Sequence, residues 1–199
     1  ILLMGLFMLN NRVGDLSFES IKAFYLVNSI SSIDMVTGLL IMFGFGAKAG
    51  MFPLHTWLPK AYPVAPSNAS ALLSGIIKKT GVFGIVVIAS NMFLGNKDFG
   101  LILLTFSSIT MVLGAILALF STNLKRTLAC SSMSQIGFAL VGLSMAVLLG
   151  EHNTLAASGS LMHLVNHSLI KLVLFSIAGV VVMNLEELDL NKIRGFGIN

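Results

Sequence analysis

Lysines and histidines that interrupt long apolar runs are the residues of this chain best suited to chemistry. They lie at Lys48, Lys78, Lys79, His163, His167 and Lys171. A lysine at the centre of a membrane-spanning helix costs about 2.5–3.5 kcal/mol on insertion scales, so such lysines commonly mark an ion or proton route. The alternative is that the long side chain carries its ammonium to the membrane surface, which suits Lys48, near a helix end, better than Lys79 or Lys171.

The most regular pattern is the run in which His163, His167 and Lys171 follow one another at intervals of four. On a helix these positions fall at about 0°, 40° and 80°, in one stripe about 12 Å tall. Ser160 and Asn166 lie on its flanks. Apolar residues occupy the opposite side: Leu161, Val165, Leu169 and Leu172. Imidazole changes its charge near neutral pH, and a stripe of groups that gain and lose protons is what proton conduction through a membrane requires.

A metal or haem site is the alternative interpretation of two histidines spaced by four. No acidic residue or cysteine lies within that predicted helix to complete a ligand set, and Lys171 would repel a cation. The single cysteine, Cys130, excludes an internal disulfide, a cysteine-rich zinc site and an iron–sulfur cluster. We therefore expect no metal and no cofactor in this chain.

A second polar face lies in an earlier apolar run, where Ser70, Ser74 and Lys78 are spaced by four. Lys79 is rotated by about 100° from Lys78, so the two lysines cannot point to the same place. We expect one of them to face the protein interior. A milder polar patch further along the chain predicts hydrogen bonds between helices: Ser131, Ser134 and Gln135.

The composition places these residues in a membrane. The chain has 199 residues, of which 56% are hydrophobic and 10% are charged, and its mean hydropathy is +0.94. A soluble domain carries about 25% charged residues. These values exclude a water-soluble globule and a disordered tail. The net charge of +4 is small and scattered, which excludes a nucleic-acid partner.

Backbone groups in lipid must bond within their own segment, which favours helices. The sequence predicts five membrane-spanning helices: Ile33–Phe52, Asn68–Leu94, Phe99–Phe120, Thr127–Leu149 and Thr154–Met183. The apolar stretch Ile1–Leu9 is too short to span a membrane and is interpreted as the end of a truncated helix. We expect an all-α polytopic transmembrane helix bundle, with residues 1–199 forming a single-domain fragment of a longer membrane protein.

Glycine and proline predict a break after the first of these spans. All four prolines lie within Pro53–Ser67, which therefore cannot be one continuous helix. Gly46 and Gly50 flank Lys48 just before them. We expect the helix to break near Lys48, as helices do at ion sites in transporters. The alternative is that the two glycines form a small-residue face for close helix packing.

The connections divide between the two sides of the membrane. One side receives Arg12, Lys22 and Lys97, and the other receives Lys60, Lys125, Arg126, Lys192 and Arg194. The excess of basic residues predicts that the Pro-rich connection and the C-terminus face the cytoplasm. Trp57 and Tyr62 in that connection suit a membrane–water interface.

Three stretches of this chain resemble one known family. They are Gly44–Gly84 (GFGAKAGMFPLHTWLPKAYPVAPSNASALLSGIIKKTGVFG), Leu124–Gly137 (LKRTLACSSMSQIG) and His163–Phe175 (HLVNHSLIKLVLF). They are similar to signatures of the antiporter-like proton-channel subunits of respiratory complex I, membrane-bound hydrogenases and multisubunit cation/proton antiporters. The motif around Ala61–Ser67 is most similar to that of the large antiporter-like subunit of membrane-bound hydrogenases and formate hydrogenlyase. Tyr62 lies at a position where that motif has histidine.

The resemblance implies a role for each matching residue. Lys48 matches the lysine of the family's first broken helix, and Lys79 matches its central lysine. His163, His167 and Lys171 match the relay of the second half-channel. Polar neighbours are secondary candidates: Lys78, Ser74, Ser160 and Asn166. The family has two inverted repeats, so this chain would hold the end of the first and the start of the second, without the glutamate helix upstream or the second broken helix downstream.

The resemblance also implies a function. We expect a proton-translocating subunit of an energy-converting oxidoreductase complex, in a prokaryotic plasma membrane. Its partners would be other membrane subunits and a redox arm acting on NADH, ferredoxin, formate or hydrogen, because this chain offers no redox centre. The sequence does not determine the electron donor, or whether sodium is transported instead of protons. A subunit of a cation/proton antiporter and a non-conducting membrane spacer are the alternatives.

Overall fold

The computed structural model describes residues 1–150 and 154–195, and its regular secondary structure there is helical. The helices are α1 (Leu2–Val13), α2 (Phe18–Val27), α3 (Ser32–Ala49), α4 (Leu58–Val64), α5 (Ser67–Leu72), α6 (Lys78–Asn91), α7 (Lys97–Leu119), α8 (Leu124–Leu149) and α9 (Thr154–Leu185). A π-helical turn, Leu73–Ile77, joins α5 to α6. The predicted all-α fold is confirmed.

Five helices are long and apolar enough to cross a membrane. They are Ser32–Ala49, Ser67–Asn91, Lys97–Leu119, Leu124–Leu149 and Leu155–Leu185. These bounds agree with the five predicted runs to within a few residues. The chain is an integral, multi-pass membrane protein.

The predicted connection between the N-terminal stub and the first span contains more helix than expected. Helix α1 continues to Val13 and ends at Gly14, whose φ of 86° is left-handed. Helix α2 follows because the Ser17 side chain caps it, accepting a hydrogen bond from the backbone of Ser20. The sequence prediction missed α2 because its moderate polarity hid a short capped helix.

The start of α8 also differs from the prediction. The side chain of Asn123 accepts a hydrogen bond from the backbone N–H of Arg126 at 3.1 Å, so the helix begins at Leu124 and not at Thr127. Lys125 therefore belongs to the first turn of a helix. Its assignment to a loop was wrong.

Helix α3 is anchored at its N-terminus by a buried carboxylate. Asp34 and Ser31 form a reciprocal capping box, in which the backbone N–H of Ser31 donates to Asp34 Oδ2 at 2.9 Å. The Tyr25 hydroxyl and Arg12 Nε donate to Asp34 Oδ1 at 2.9 and 3.3 Å. Burial and the Asp34 carboxylate raise the pKa of Tyr25, so its hydroxyl stays protonated and remains a donor. The ends of α1, α2 and α3 are thereby tied together.

The same helix breaks directly after Lys48, as expected. Gly50 adopts φ +83°, and its N–H bonds to the carbonyls of Ala47 and Gly46. A Cβ added to Gly46 would lie 2.9 Å from Met51 Cε, and one added to Gly50 would overlap Leu58. Both glycines therefore serve the helix end and the turn that follows it, so they are not a helix-packing face.

Close helix approach depends on another glycine. A Cβ on Gly81 of α6 would lie 2.6 Å from the carbonyl oxygen of Phe45 and 2.7 Å from the amide nitrogen of Ala49, both on α3. Only a residue without a side chain lets the two backbones meet there. Gly81 therefore fixes how α6, which begins with Lys78 and Lys79, sits against the broken helix.

Hydrogen bonds between the connections and the two ends of α8 confirm the predicted division into two sides. At one end, Lys125 Nζ donates to the Ala65 carbonyl at 3.0 Å, and the amide of Leu124 donates to Leu188 at 2.9 Å. At the other end, the amide of Gly95 donates to Val147 at 2.9 Å. The Pro-rich connection, the start of α8 and the segment after α9 thus share one side. That this side faces the cytoplasm stays a prediction.

The packing at Gly81 gives a first test. We expect Gly81→Ala, in the intact subunit, to lower the free energy of unfolding by about 1–3 kcal/mol, because rigid backbone atoms cannot make room for the added carbon. The measurement is the apparent Tm of the purified protein in detergent. Gly159→Ala is the matched control, since its added Cβ meets nothing within 4 Å. Equal Tm values for the two variants would contradict the expected close contact.

Candidate functional site

One face of α9 carries polar side chains into the bundle. Ser160, His167 and Lys171 are buried, with 6%, 4% and 4% exposed. Leu161, Val165 and Leu169 on the other side are exposed, as the helical period predicts. Leu172 was expected among these outward residues, but a Cβ on Gly75 would meet its side chain at 2.6 Å. It packs against the π-helical turn, because the glycine there opens a space.

Lys171 is held inside the protein by α8. Its Nζ donates to the Leu128 carbonyl at 3.0 Å and to Ser131 Oγ at 2.5 Å. The ammonium therefore points at a neighbouring helix, and the snorkelling alternative does not apply to it. Ser131 was predicted only as an interhelical hydrogen-bonding residue, and it does form such a bond, to the lysine of the candidate site.

The two histidines of this face lie one turn apart with parallel rings. The centroids of His163 and His167 are 6.2 Å apart and the ring planes differ by 3°. Among the described residues, His163 Nε2 and both ring nitrogens of His167 are buried and have no hydrogen-bond partner. Buried polar atoms without partners are rare and call for water, an ion or another chain segment beside them.

An open groove of about 240 Å³ runs along these side chains. Its polar lining comes from α8 and α9: Ser131, Gln135, His163, Asn166, His167 and Lys171. One water molecule occupies about 30 Å³ in the liquid, so the groove has room for several. Asn166 borders this groove but is exposed in the described chain. The other secondary residue of this helix, Ser160, lies one turn before His163, and its hydroxyl donates to the Ala139 carbonyl at 2.6 Å.

The adjacent lysines of α6 have different surroundings. Lys79 is half-buried and donates to the Ser74 carbonyl in the π-helical turn, a type of bulge common at functional sites. Lys78 is 0% exposed, and its Nζ has no hydrogen-bond partner among the described residues. The sequence expectation that one of the two faces the interior is confirmed. The more deeply buried one is Lys78, which was expected only as a secondary residue.

Three lysines and a histidine converge between α6 and α9. Charges on Lys78, Lys79 and Lys171 are close enough to affect one another, and all three act on His167. Among the described residues, the ion pairs lie elsewhere: Arg12–Asp34 and Lys192–Glu187. The cluster therefore holds several ionisable nitrogens without a paired carboxylate.

Lys48 is not part of this cluster. It is exposed on the last turn of α3, just before the break, where a positive charge suits the C-terminal end of a helix. The structure thus joins the predicted residues of α6 and α9 and leaves Lys48 on a separate, uncovered face. Its predicted role in a relay stays a prediction.

Sequence reasoning missed two buried residues in or against the Pro-rich segment. Lys125 is 4% exposed, and its bond to the Ala65 carbonyl fastens the Pro-rich segment to α8. Tyr62 was expected at the membrane–water interface, but it is fully buried, with its ring centroid 5.2 Å from that of Phe175. The capping pattern from Asn123 to Arg126 would have placed Lys125 in a helix. No local signal could have shown the burial of Tyr62.

The sequence model of one family, described as "NADH:quinone oxidoreductase/Mrp antiporter, TM", matches residues 1–197. The chain belongs to this family. The expected resemblance to antiporter-like membrane subunits is confirmed.

Two relatives show where members of the antiporter-like family occur. The chain is 38% identical over 201 residues to "Hydrogenase-4 component B" of Escherichia coli (strain K12), covering 96% of this chain and 30% of the relative. It is 32% identical over 183 residues to "NAD(P)H-quinone oxidoreductase chain 4 1" of Picosynechococcus sp. (strain ATCC 27264 / PCC 7002 / PR-6), covering 92% and 33%. The chain spans about a third of the length of these relatives.

Solved structures of the antiporter-like family share the fold. An archaeal membrane-bound sulfane sulfur reductase superposes with a TM-score of 0.83 at 30% identity, covering 94% of this chain and 32% of that chain. The Mrp complex from Dietzia sp. DQ12-45-1b gives 0.81 at 25% identity, covering 90% and 32%. The reductase is described as an archaeal respiratory membrane complex.

The Lys125 contact gives a second test. We expect Lys125→Met to speed amide hydrogen exchange in residues 54–65 by about tenfold, because a buried carbonyl left without its donor costs about 1–3 kcal/mol. The measurement is exchange mass spectrometry on the intact subunit in lipid nanodiscs. Arg126→Met is the control, since that side chain is exposed on the same turn. If the two variants exchange alike, the lysine does not hold the segment.

Proposed function

We propose that the intact protein is a proton-translocating membrane subunit of an energy-converting oxidoreductase complex, of the NADH-quinone or membrane-bound hydrogenase type. The observation that carries this proposal is the Lys171 ammonium, which is buried and bound to α8, one turn from His167 and two turns from His163, whose imidazoles are parallel. Hydrogenase-4 component B and the NAD(P)H-quinone oxidoreductase chain are relatives over almost the whole chain.

The geometry supports proton transfer along α9. The imidazole nitrogens of His167 have no partner inside the described chain, so they can take or release a proton without breaking an internal hydrogen bond. Water in the groove beside Ser131, Gln135 and Lys171 would carry protons between these groups. Positive charges on Lys79 and Lys171 repel each other. No carboxylate among the described residues pairs with either lysine to offset this repulsion. Loading one site therefore favours emptying the other.

The coupling to electron transfer enters from outside this segment. Lys48 lies exposed beside a helix break, where a neighbouring part of the protein or another subunit can contact it. In the proposed cycle, a change of charge or shape at Lys48 passes to Lys79, and protons then step along α9. A redox arm would supply the energy, acting on NADH, ferredoxin, formate or hydrogen. The proposed location is a prokaryotic plasma membrane.

A subunit of a cation/proton antiporter is the second candidate. The observation that favours it is the superposition on the Mrp complex from Dietzia, with a TM-score of 0.81 over 90% of the chain. The two functions differ in their partners and in their ion. A redox-driven pump co-purifies with oxidoreductase subunits and works without sodium, whereas an antiporter exchanges sodium for protons and has no redox subunits.

The test uses membrane vesicles from the source organism with the full-length subunit in its complex. A pH-sensitive dye reports proton uptake on addition of NADH, formate or hydrogen, in buffers with and without sodium. We expect Lys171→Met to lower uptake by about tenfold or more, because removal of a proton-transferring group commonly costs 10²–10⁴-fold. Lys97→Met, at an exposed lysine, is the control and should pump normally.

Assembly of the complex is measured on native gels for each variant. Normal uptake by a fully assembled Lys171→Met complex would exclude the pump and favour a structural spacer. Uptake that requires sodium and no electron donor would favour the antiporter.

A further inference from the structure

Lys78 differs from every other lysine buried beside it. Lys79, Lys125 and Lys171 each donate to a backbone carbonyl. Lys78 Nζ has no hydrogen-bond partner among the described residues, although it is the most deeply buried of the four. A lysine kept for structure alone would be fastened as its neighbours are, since an unpaired buried amine is costly. Its position therefore calls for another explanation.

Within residues 1–150 and 154–195, the amine of Lys78 lies over one aromatic ring, that of Tyr62. Nζ lies 5.6 Å from the ring centroid, within range of a cation–π contact. The Tyr62 hydroxyl is buried too and makes no hydrogen bond of normal geometry, although Ser74 lies nearby. The Ser74 hydroxyl is instead 3.0 Å from that of Ser132. Two buried polar atoms without partners thus lie around one ring.

Four helices place a polar or ionisable group near Lys78. Tyr62 comes from α4, Lys79 from α6 itself, Cys130 from α8 and Lys171 from α9. The ring face of Tyr62 attracts a positive charge on Lys78, whereas like charges on Lys79 and Lys171 repel it. The charge of Lys78 therefore responds to the charges of its neighbours.

The position of the pair gives it a direction. Tyr62 belongs to the Pro-rich segment, which Lys125 fastens to α8 at one end of the bundle. Lys78 lies eleven residues into the helix Ser67–Asn91, about 16 Å along its axis. The pair therefore extends from the Pro-rich end towards the middle of the membrane, where Lys79 and Lys171 lie.

We propose that Tyr62 and Lys78 form a buried site for water and one exchangeable proton, through which protons from the Pro-rich end reach Lys79 and Lys171. This rests on the proposed function and adds an inlet to it. A hydronium at the Pro-rich end gives its proton, through water beside the Tyr62 hydroxyl, to the neutral amine of Lys78. The resulting ammonium returns one proton to water towards Lys79 or Lys171 and becomes neutral again.

Two substitutions separate this role from packing, in the vesicle assay with the full-length subunit. Tyr62→Phe removes only the hydroxyl and keeps the ring against Phe175, and Lys78→Met removes the amine at nearly constant length. We expect each to lower proton uptake by about tenfold. The double variant should be no slower than the slower single variant, because both groups serve one inlet. Lys60→Met, at an exposed lysine in α4, is the control.

A third substitution tests whether the proton must leave. Lys78→Arg keeps a positive charge that is never given up in proteins. We expect it to pump as slowly as Lys78→Met, and a normal rate would overturn the proposal in favour of a fixed charge. Uptake within twofold of the wild type in Tyr62→Phe, or losses that multiply in the double variant, would overturn it too. If a Lys78 variant fails to assemble, Tyr62→Phe decides.

Lys171→Met in the same assay separates the two proposals. If it stops proton uptake while Tyr62→Phe and Lys78→Met pump normally, the inlet is wrong and the proposed function stands. If all of these variants pump normally, the proposed function itself is wrong.

Discussion

The constraint on which the rest of the structure depends is a cluster of buried and half-buried lysines that have no carboxylate partner within residues 1–150 and 154–195. The lysines of α6 and α9 are held by neutral groups: the carbonyls of Ser74 and Leu128, the hydroxyl of Ser131 and the ring of Tyr62. Neutral partners accept hydrogen bonds from an ammonium and do not fix its charge as a carboxylate would. The helices around the cluster must therefore present carbonyls, hydroxyls and water at matching heights.

Much of this arrangement could be predicted from the sequence, because the helical period determines which residues share a face. Residues spaced by four share a face, which was enough to predict that His167 and Lys171 point to one side of α9 and Leu169 to the other. The rotation between adjacent residues was enough to predict that Lys78 and Lys79 diverge. The five spans followed from apolar length alone, because a bilayer of fixed thickness demands it.

Features that depend on contacts between distant segments could not be predicted. The burial of Tyr62 depends on a contact between its ring and that of Phe175 on α9, more than a hundred residues away in the sequence, and nothing next to Tyr62 indicates it. The same holds for the choice of Lys78 as the deeper lysine, which is set by the π-helical turn and by the approach of α6 to α3 at Gly81. The glycines around Lys48 were ambiguous, because a left-handed turn and a packing face both favour glycine.

Helix α3 is fixed at one end and interrupted at the other. Its first turn is bound by Arg12, Tyr25 and Ser31 through the carboxylate of Asp34, whereas its last turn stops at Gly50. That last turn also meets α6, where the backbone of Ala49 lies against Gly81. A displacement of Lys48 would therefore be transmitted to α6, the helix that begins with Lys78 and Lys79, while Asp34 stays in place.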